Sequence, residues 1–521
     1  MSSPSAQTAL PPLTGGARVL GTLALSAATF MNVLDTSIAN VSLPAIAGDL
    51  GVSPMQGTWV ITSFAVANAI SVPLTGWLTQ RIGQVRLFMA SVLLFVLSSW
   101  LCGLAPNMTL LIAARALQGL VAGPLIPLSQ TLLLSSYPRA LAGLAMAMWS
   151  ITTLVAPIMG PLLGGWITDN ISWPWIFYIN VPVGLLAAAA TWVIYRERES
   201  VTKKVPIDTV GLSLLVLWVG AMQLMLDKGK ELDWFHSGEI IAFAVVAVVG
   251  LAFFLAWELT EEHPVVDLSL FTRRNFWSSA LATAVGYGVF FGNVVILPLW
   301  LQQFMGYTAT QAGMILAPVG LFAIVFSPIV GLTLNRVDPR KFASFSFLVF
   351  ALVLWMRSRF TTHADFETIL IPTLIQGVAM AFFFIPLVTL TLSGLDASRI
   401  PAASGLSNFM RITAGAIGTS ISTTMWESRA TMHHASLAET VHQGNQAATA
   451  TMDALQAKGM SHKQALAYIN NLTTQQAYML STQEIFYGSA ILFLLLIPLV
   501  WLAKRPKGVG SADADAAAGA H

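Results

Sequence analysis

The chain has 521 residues, of which 55% are hydrophobic and only 10% charged, and its net charge is +2. Soluble domains carry roughly a quarter charged residues, so this composition cannot cover a water-facing surface in the usual way. Its mean hydropathy of +0.71 and its recurring apolar runs of about 20 residues, each long enough to cross a hydrocarbon core, define a polytopic membrane protein.

The small net charge gives no basis for nucleic-acid binding. A single cysteine, Cys102, excludes a disulfide within the chain. The histidines (His236, His263, His363, His433, His434, His442, His462 and His521) all fall in predicted loops or at the C-terminus. A metal or haem centre inside a bundle needs His or Cys ligands at membrane depth, so no metal and no cofactor is expected. No GxxxxGK[ST] loop is present to suggest nucleotide hydrolysis. The first apolar run is too long for a signal peptide and carries Asp35.

In chain order the apolar runs predict an all-α protein of fourteen spans, near 18–44, 55–79, 86–105, 108–134, 141–168, 175–195, 208–227, 238–258, 276–301, 309–333, 341–358, 368–393, 402–426 and 484–503. Continuous runs of this length read as helices, whereas barrel strands alternate over about ten residues. With the N-terminus inside, the cytoplasmic segments hold more than twice the Lys and Arg of the external loops, where Arg357 is counted. Both termini are therefore expected in the cytoplasm.

Span one holds FMNVLDTSIANVSLP at 30–44. At 100° per residue, Asn32, Asp35, Thr36 and Asn40 share an arc of about 140° on one helix face. An ionised side chain at mid-bilayer costs about 3 kcal/mol on insertion scales, so Asp35 is expected to face the bundle interior or a water-filled cavity. Desolvation favours its protonated form and a nearby cation its ionised form, which makes its protonation switchable. It reads either as a proton carrier or as half of a fixed ion pair.

Arg115, in span four, is the expected partner. The two residues lie about 13 and 10 Å below the external ends of their spans at 1.5 Å per residue. An Arg keeps its charge throughout, so it either holds Asp35 ionised until a conformational change separates them or tethers two helices. Gln118, in the same RALQG stretch, is a cavity-lining candidate. In span five GPLLGG (160–165) reads as close packing of small residues or as a bending point, with Pro157 and Pro161 freeing backbone carbonyls. Arg411, in span thirteen about 14 Å from its inner end, is a further cavity-lining candidate, open between an anionic substrate and a helix tail.

An internal repeat runs through the chain. PLTGWLTQR at 73–81 and PIVGLTLNR at 328–336 share P-x-x-G-x-x-x-x-R, and QGLVAGPLIPL at 118–128 loosely matches QGVAMAFFFIPL at 376–387. Repeats of this kind mark secondary transporters, whose substrate sites lie between the repeated halves. The predicted organisation is a tail at 1–17, a six-helix bundle at 18–195, two inserted helices with flanking loops at 196–275, a second bundle at 276–503, and a disordered tail at 504–521. The external segment 427–483 reads as a solvated loop, helical in part, or as a docking surface.

Several stretches resemble the major facilitator superfamily, and within it the fourteen-helix drug:proton antiporters. RALQG (115–119) resembles the fourth-helix motif, GPLLGG the antiporter motif of the fifth, LDTSIANVSLP (34–44) the first-helix motif, and GWLTQRIGQVR (76–86) the loop between helices two and three. MLDKGKELDWF (225–235) and TTMWESRATMHHA (423–435) extend the likeness over essentially the whole chain. The loop departs from the superfamily pattern at Gln80 and Gln84, which removes its own acid–Arg latch. Gly76, Arg81, Gly83 and Arg86 remain as gating candidates, the two arginines through carbonyls at helix ends. Pro157, Gly160, Pro161, Gly164 and Gly165 are the bending candidates.

The resemblance implies a major facilitator fold and a proton-coupled multidrug efflux antiporter, not an enzyme, exporting hydrophobic toxic compounds across a bacterial inner membrane by alternating access. It also implies a tripartite exporter with a periplasmic adaptor and an outer-membrane channel. Two rivals stay open at this point. One is a proton symporter importing a small solute; the other is a receptor or enzyme without a transport cycle, which leaves the repeat unexplained.

Overall fold

A computed structural model describes residues 11–203, 206–334, 336–441 and 445–505. The outer parts of both predicted tails and Lys204 lie outside these residues. The described residues form helices without strands. A chain in hydrocarbon must satisfy its own N–H and C=O groups, and the helix does so within each segment.

The long helices are α1 (Gly15–Asp49), α2 (Trp59–Ile82), α3 (Gln84–Gly103), α4 (Met108–Ser136), α5 (Ala142–Asn170), α6 (Trp175–Tyr195), α7 (Thr209–Lys228), α8 (Gly238–Thr260), α9 (Arg274–Phe304), α10 (Ala309–Thr333), α11 (Pro339–Arg357), α12 (Phe366–Leu392), α13 (Ile400–Thr440) and α14 (His462–Trp501). Polar N-caps fix several starts. Asn107, Asp208, Asp338 and Asp365 each accept a backbone N–H from the first turn, and Thr308 and Ser461 form capping boxes with Gln311 and Gln464.

Twelve of these helices are long and apolar enough to cross a membrane, and α5 makes a thirteenth when its two parts, bent by 44°, are taken as one span. The bend lies between Pro157 and Leu162. α13 is too polar to qualify on composition, yet it packs along α9 and α14 as a fourteenth. The segment 427–483 is largely helical among its described residues: α13 runs on to Thr440, α14 begins at His462, and a short helix, Gln446–Ala457, lies between them.

The pairings within α1–α6 return within α9–α14. α1 packs on α5 and α6 as α9 does on α13 and α14; α2 packs on α4 as α10 does on α12; α3 packs on α4 and α6 as α11 does on α12 and α14. α7 and α8 pair with each other, and α7 lies beside α2 and α13, where Trp218 meets Phe409 edge-on. The sequence repeat now has a physical reason. Its two glycines stand where the second helix of each bundle meets the fifth helix of the other.

Both contacts lie at the face that carries the chain termini. A Cβ at Gly76 would fall 2.6 Å from Ala402 Cβ on α13, and one at Gly331 2.6 Å from the carbonyl of Gly143 on α5. Between them Gln130 on α4 accepts hydrogen bonds from Ser404 and, at 2.9 Å, from Asn408 on α13. The bundles are thus closed against each other at this face. Gly143→Val puts a side chain 2.3 Å from the Gly331 carbonyl oxygen, a distance that backbone cannot accommodate in place. The variant is expected to hold this face open. A cysteine introduced at Ser407 should then label several-fold faster with an impermeant thiol reagent applied from the terminus side, against the low background of buried Cys102.

Candidate functional site

Arg115 and Gln118, three residues apart on α4, share one helix face. That face meets α1 at Asp35. Both charged residues are withdrawn from solvent, Asp35 at 0% exposure and Arg115 at 1%. Arg115 Nη1 donates to Asp35 Oδ2 at 2.5 Å and to Gln118 Oε1 at 2.8 Å, while its Nε donates to the Val60 carbonyl at 2.9 Å. Gln118 Nε2 and Asn180 Nδ2 reach the other carboxylate oxygen at 3.1 and 2.9 Å. Asn180, on α6, also donates to Ser99 on α3 at 3.0 Å. The guanidinium carbon lies 4.3 Å from the centre of the Phe64 ring and 5.5 Å from that of Phe177.

Three helices therefore meet at one carboxylate, which accepts from three side chains and faces one fixed cation. Separating such a pair in a low dielectric strands both charges, at a cost of about 3–5 kcal/mol when one partner is removed. A proton on the carboxylate removes that penalty from its side of the pair. The arrangement can thus convert protonation into freedom of α1 to part from α4.

The cavity-lining candidates divide. Gln118 belongs to the charge cluster, its amide engaged by Arg115 and Asp35. Asn32 is buried one turn from Asp35, and its Oδ1 has no hydrogen-bond partner. Thr36 is half-buried and donates back to the Val33 carbonyl at 2.7 Å, and Asn40 is exposed. Arg411 is buried and donates to Asn408 at 2.9 Å, with its guanidinium carbon 4.7 Å from the Tyr287 ring centre. It borders a cavity of about 20 Å³, shared with Gln130, Trp149, Thr283 and Phe384, which is room for about one water. It makes no ion pair among the described residues.

The bending candidates also divide. A Cβ at Gly160 would sit 1.9 Å from Ser37 Oγ and one at Gly164 2.9 Å from Ile38, so both glycines let α5 press onto α1 beside Asp35. Gly165 has only Val41 near it, at 3.9 Å. At the terminus face Gly83 takes φ +99 in the turn between α2 and α3, and the Arg81 guanidinium lies 5.7 Å from the Trp77 ring centre. Among the described residues, Arg86 makes no hydrogen bond to a helix-end carbonyl. Its partner is Glu199, 4.0 Å away, whose carboxylate also accepts the backbone N–H groups of Val85 and Arg86. The acid missing from the loop itself is supplied from beyond α6, where it caps the positive end of α3.

Arg357 corrects the sequence reading more sharply. It was expected in an external loop, but it ends α11 with 1% exposure and donates to Thr373 at 3.0 Å and to Gln376 at 2.6 Å. Gln376 is the repeat partner of Gln118. Each bundle therefore sets a buried Arg on the equivalent Gln, but only the first adds a carboxylate.

The comparisons with known proteins follow the same lines. The Multidrug export protein EmrB of Escherichia coli K12 is 52% identical over 506 residues, covering 97% of this chain and 99% of that protein. The Fatty acid resistance protein FarB of Neisseria gonorrhoeae is 50% identical over 496 residues, covering 95% and 98%. Among solved structures, the human organic anion transporter MFSD10 (TETRAN) superposes with a TM-score of 0.58 at 12% identity, covering 94% of this chain and 100% of that one, a likeness of fold alone. The profile of the Major Facilitator Superfamily matches residues 25–419, and with that span, these relatives and the repeated six-helix pattern, the chain belongs to the major facilitator superfamily.

Proposed function

We propose that this protein is a proton-driven exporter of hydrophobic, chemically varied toxic compounds, working by alternating access in a bacterial inner membrane with both termini in the cytoplasm. The observation that carries the reading is the solvent-free Asp35 carboxylate, held by Arg115, Gln118 and Asn180 at a junction of helices. The multidrug export named for the relative from Escherichia coli supports the cargo class.

In the cycle, a proton arriving from outside neutralises Asp35 and ends its hold on Arg115. α1 then shifts against α4, and the bend in α5 beside Gly160 absorbs the rocking of the bundle. The closed cytoplasmic end, sealed at Gly76–Ala402 and Gly143–Gly331, opens, and the proton leaves inward as drug enters the space between the bundles. Re-pairing of Asp35 with Arg115 restores the outward state.

The projection formed by the outer parts of α13 and α14 with Gln446–Ala457 is largely helical. It suits contact with a periplasmic adaptor resembling EmrA, which would continue the path to an outer-membrane channel resembling TolC, as the sequence resemblance implies.

The test is substrate-induced proton release from purified protein in weakly buffered detergent. Wild type is expected to release protons on addition of an exported drug, and Asp35→Asn to release none. Release undiminished in Asp35→Asn would place the coupling carboxylate elsewhere.

A further inference from the structure

The inserted hairpin carries a buried acid that the transport cycle does not use. Glu258, near the inner end of α8, is 3% exposed. Its Oε2 accepts the Val266 backbone N–H at 3.1 Å, while Oε1 is buried without a partner. That free oxygen points at a second carboxylate. A Cβ at Gly211 would lie 2.7 Å from Glu258 Oε1 and 2.1 Å from Asp208 Oδ2, so both acids press on the same spot, which only glycine leaves open.

Asp208 is provided for as an anion. It caps α7 by accepting the Gly211 N–H at 2.8 Å, and the Trp257 indole N–H lies 3.1 and 3.0 Å from its two oxygens. A helix N-terminus and three N–H···O contacts favour a charged carboxylate there. Glu258 has only the Val266 N–H, on one of its two oxygens. Glu261, on the linker that follows, adds a further like charge. Among the described residues, no Lys, Arg or His makes an ion pair with Asp208 or Glu258. Two facing carboxylates without a cation ionise together only at a cost, and the one with fewer donors takes the proton first.

We propose that Glu258 is a second proton-binding site, remote from Asp35, whose proton bridges to Asp208 and docks the two inner linkers of the hairpin onto the closed cytoplasmic face. The linker after α6 reaches α2 and α3 through Glu199, through the Lys203 N–H on the Gln80 carbonyl at 2.7 Å, and through the Pro206 carbonyl under Trp77 at 3.3 Å. The linker after α8 reaches α13 through Asp267 and Arg399. Both linkers meet at the Asp208–Glu258 contact. With the proton bound they are clamped; without it, two like charges push them apart and loosen the closed end. A proton that favours the closed face must bind that face more tightly, so acid on the inner side holds it shut and alkali lets it open.

The test uses the full chain in lipid bilayers. Infrared difference spectra across mildly acidic to mildly alkaline pH are expected to show a protonated-carboxyl C=O band in Asp35→Asn, and its loss when Glu258→Gln is added to that variant. Inner-side thiol labelling at Ser407→Cys, normalised at each pH to a free model thiol because the thiolate is the reacting form, should rise with inner pH, by up to about tenfold per pH unit, the limit for one linked proton. In Glu258→Gln, which keeps the acceptor for Val266, that pH profile should be flat. Glu258→Asp should restore a slope. A band that persists when Glu258→Gln is combined with Asp35→Asn, or an unchanged labelling profile, overturns the proposal. Because the Asp35→Asn background keeps the band, failure of the transport reading is scored separately.

Discussion

Asp35→Asn is expected to abolish drug export driven by a pH gradient in proteoliposomes, lowering the initial rate by about 100-fold or more, while drug binding stays within about threefold of wild type. The amide keeps the shape of the carboxylate, so packing of α1 on α4 and α5 is retained. It has one acceptor where the carboxylate has two, so it cannot serve Arg115 on one side and both Gln118 and Asn180 on the other. Its larger loss is the titratable charge. Arg115 is left as a buried cation held by Gln118 Oε1, the Val60 carbonyl and the Phe64 and Phe177 rings, without a counter-charge, a state that costs up to about 3–5 kcal/mol. A lowered Tm in detergent should therefore accompany the transport defect. Export at the wild-type rate with an intact response to the pH gradient would remove Asp35 from the mechanism.

The Asp35–Arg115 contact was legible in the sequence because charge at membrane depth is costly. Two opposite charges at equal depths have strong reason to meet. The repeat was legible for a similar reason: glycine spacing at an interface is fixed by backbone approach, which a sequence pattern retains. Asn180 was not legible. One amide in span six is neutral, costs less to bury than a charge, and has no spacing that ties it to Asp35. Glu199 was missed because it lies in the linker after α6 and Arg357 because it ends α11, places where hydropathy cannot tell a residue that faces water from one that turns inward. Arg357 has polar neighbours only through tertiary contacts with α12. The small cavity beside Arg411 was equally hidden, since its walls come from helices of both bundles.

Arg115 is the residue that separates a proton switch from a structural tether. Arg115→Gln leaves Asp35 with the amide donors of Gln118 and Asn180 and no cation from which to part. The variant should fold less stably and lose gradient-driven export to about the same extent as Asp35→Asn. Removing both charges together, in Asp35→Asn/Arg115→Gln, takes away the stranded ion as well as the pair. Its Tm should recover most of what either single variant loses, with a coupling of about 2 kcal/mol or more in the double-mutant cycle. A tether and a switch part company at this point. If the pair only holds α1 to α4, the double variant, being stable again, should export drug again. If the pair stores the proton-dependent step, stability returns and export stays at least about 100-fold down, because nothing at this junction can then read the gradient.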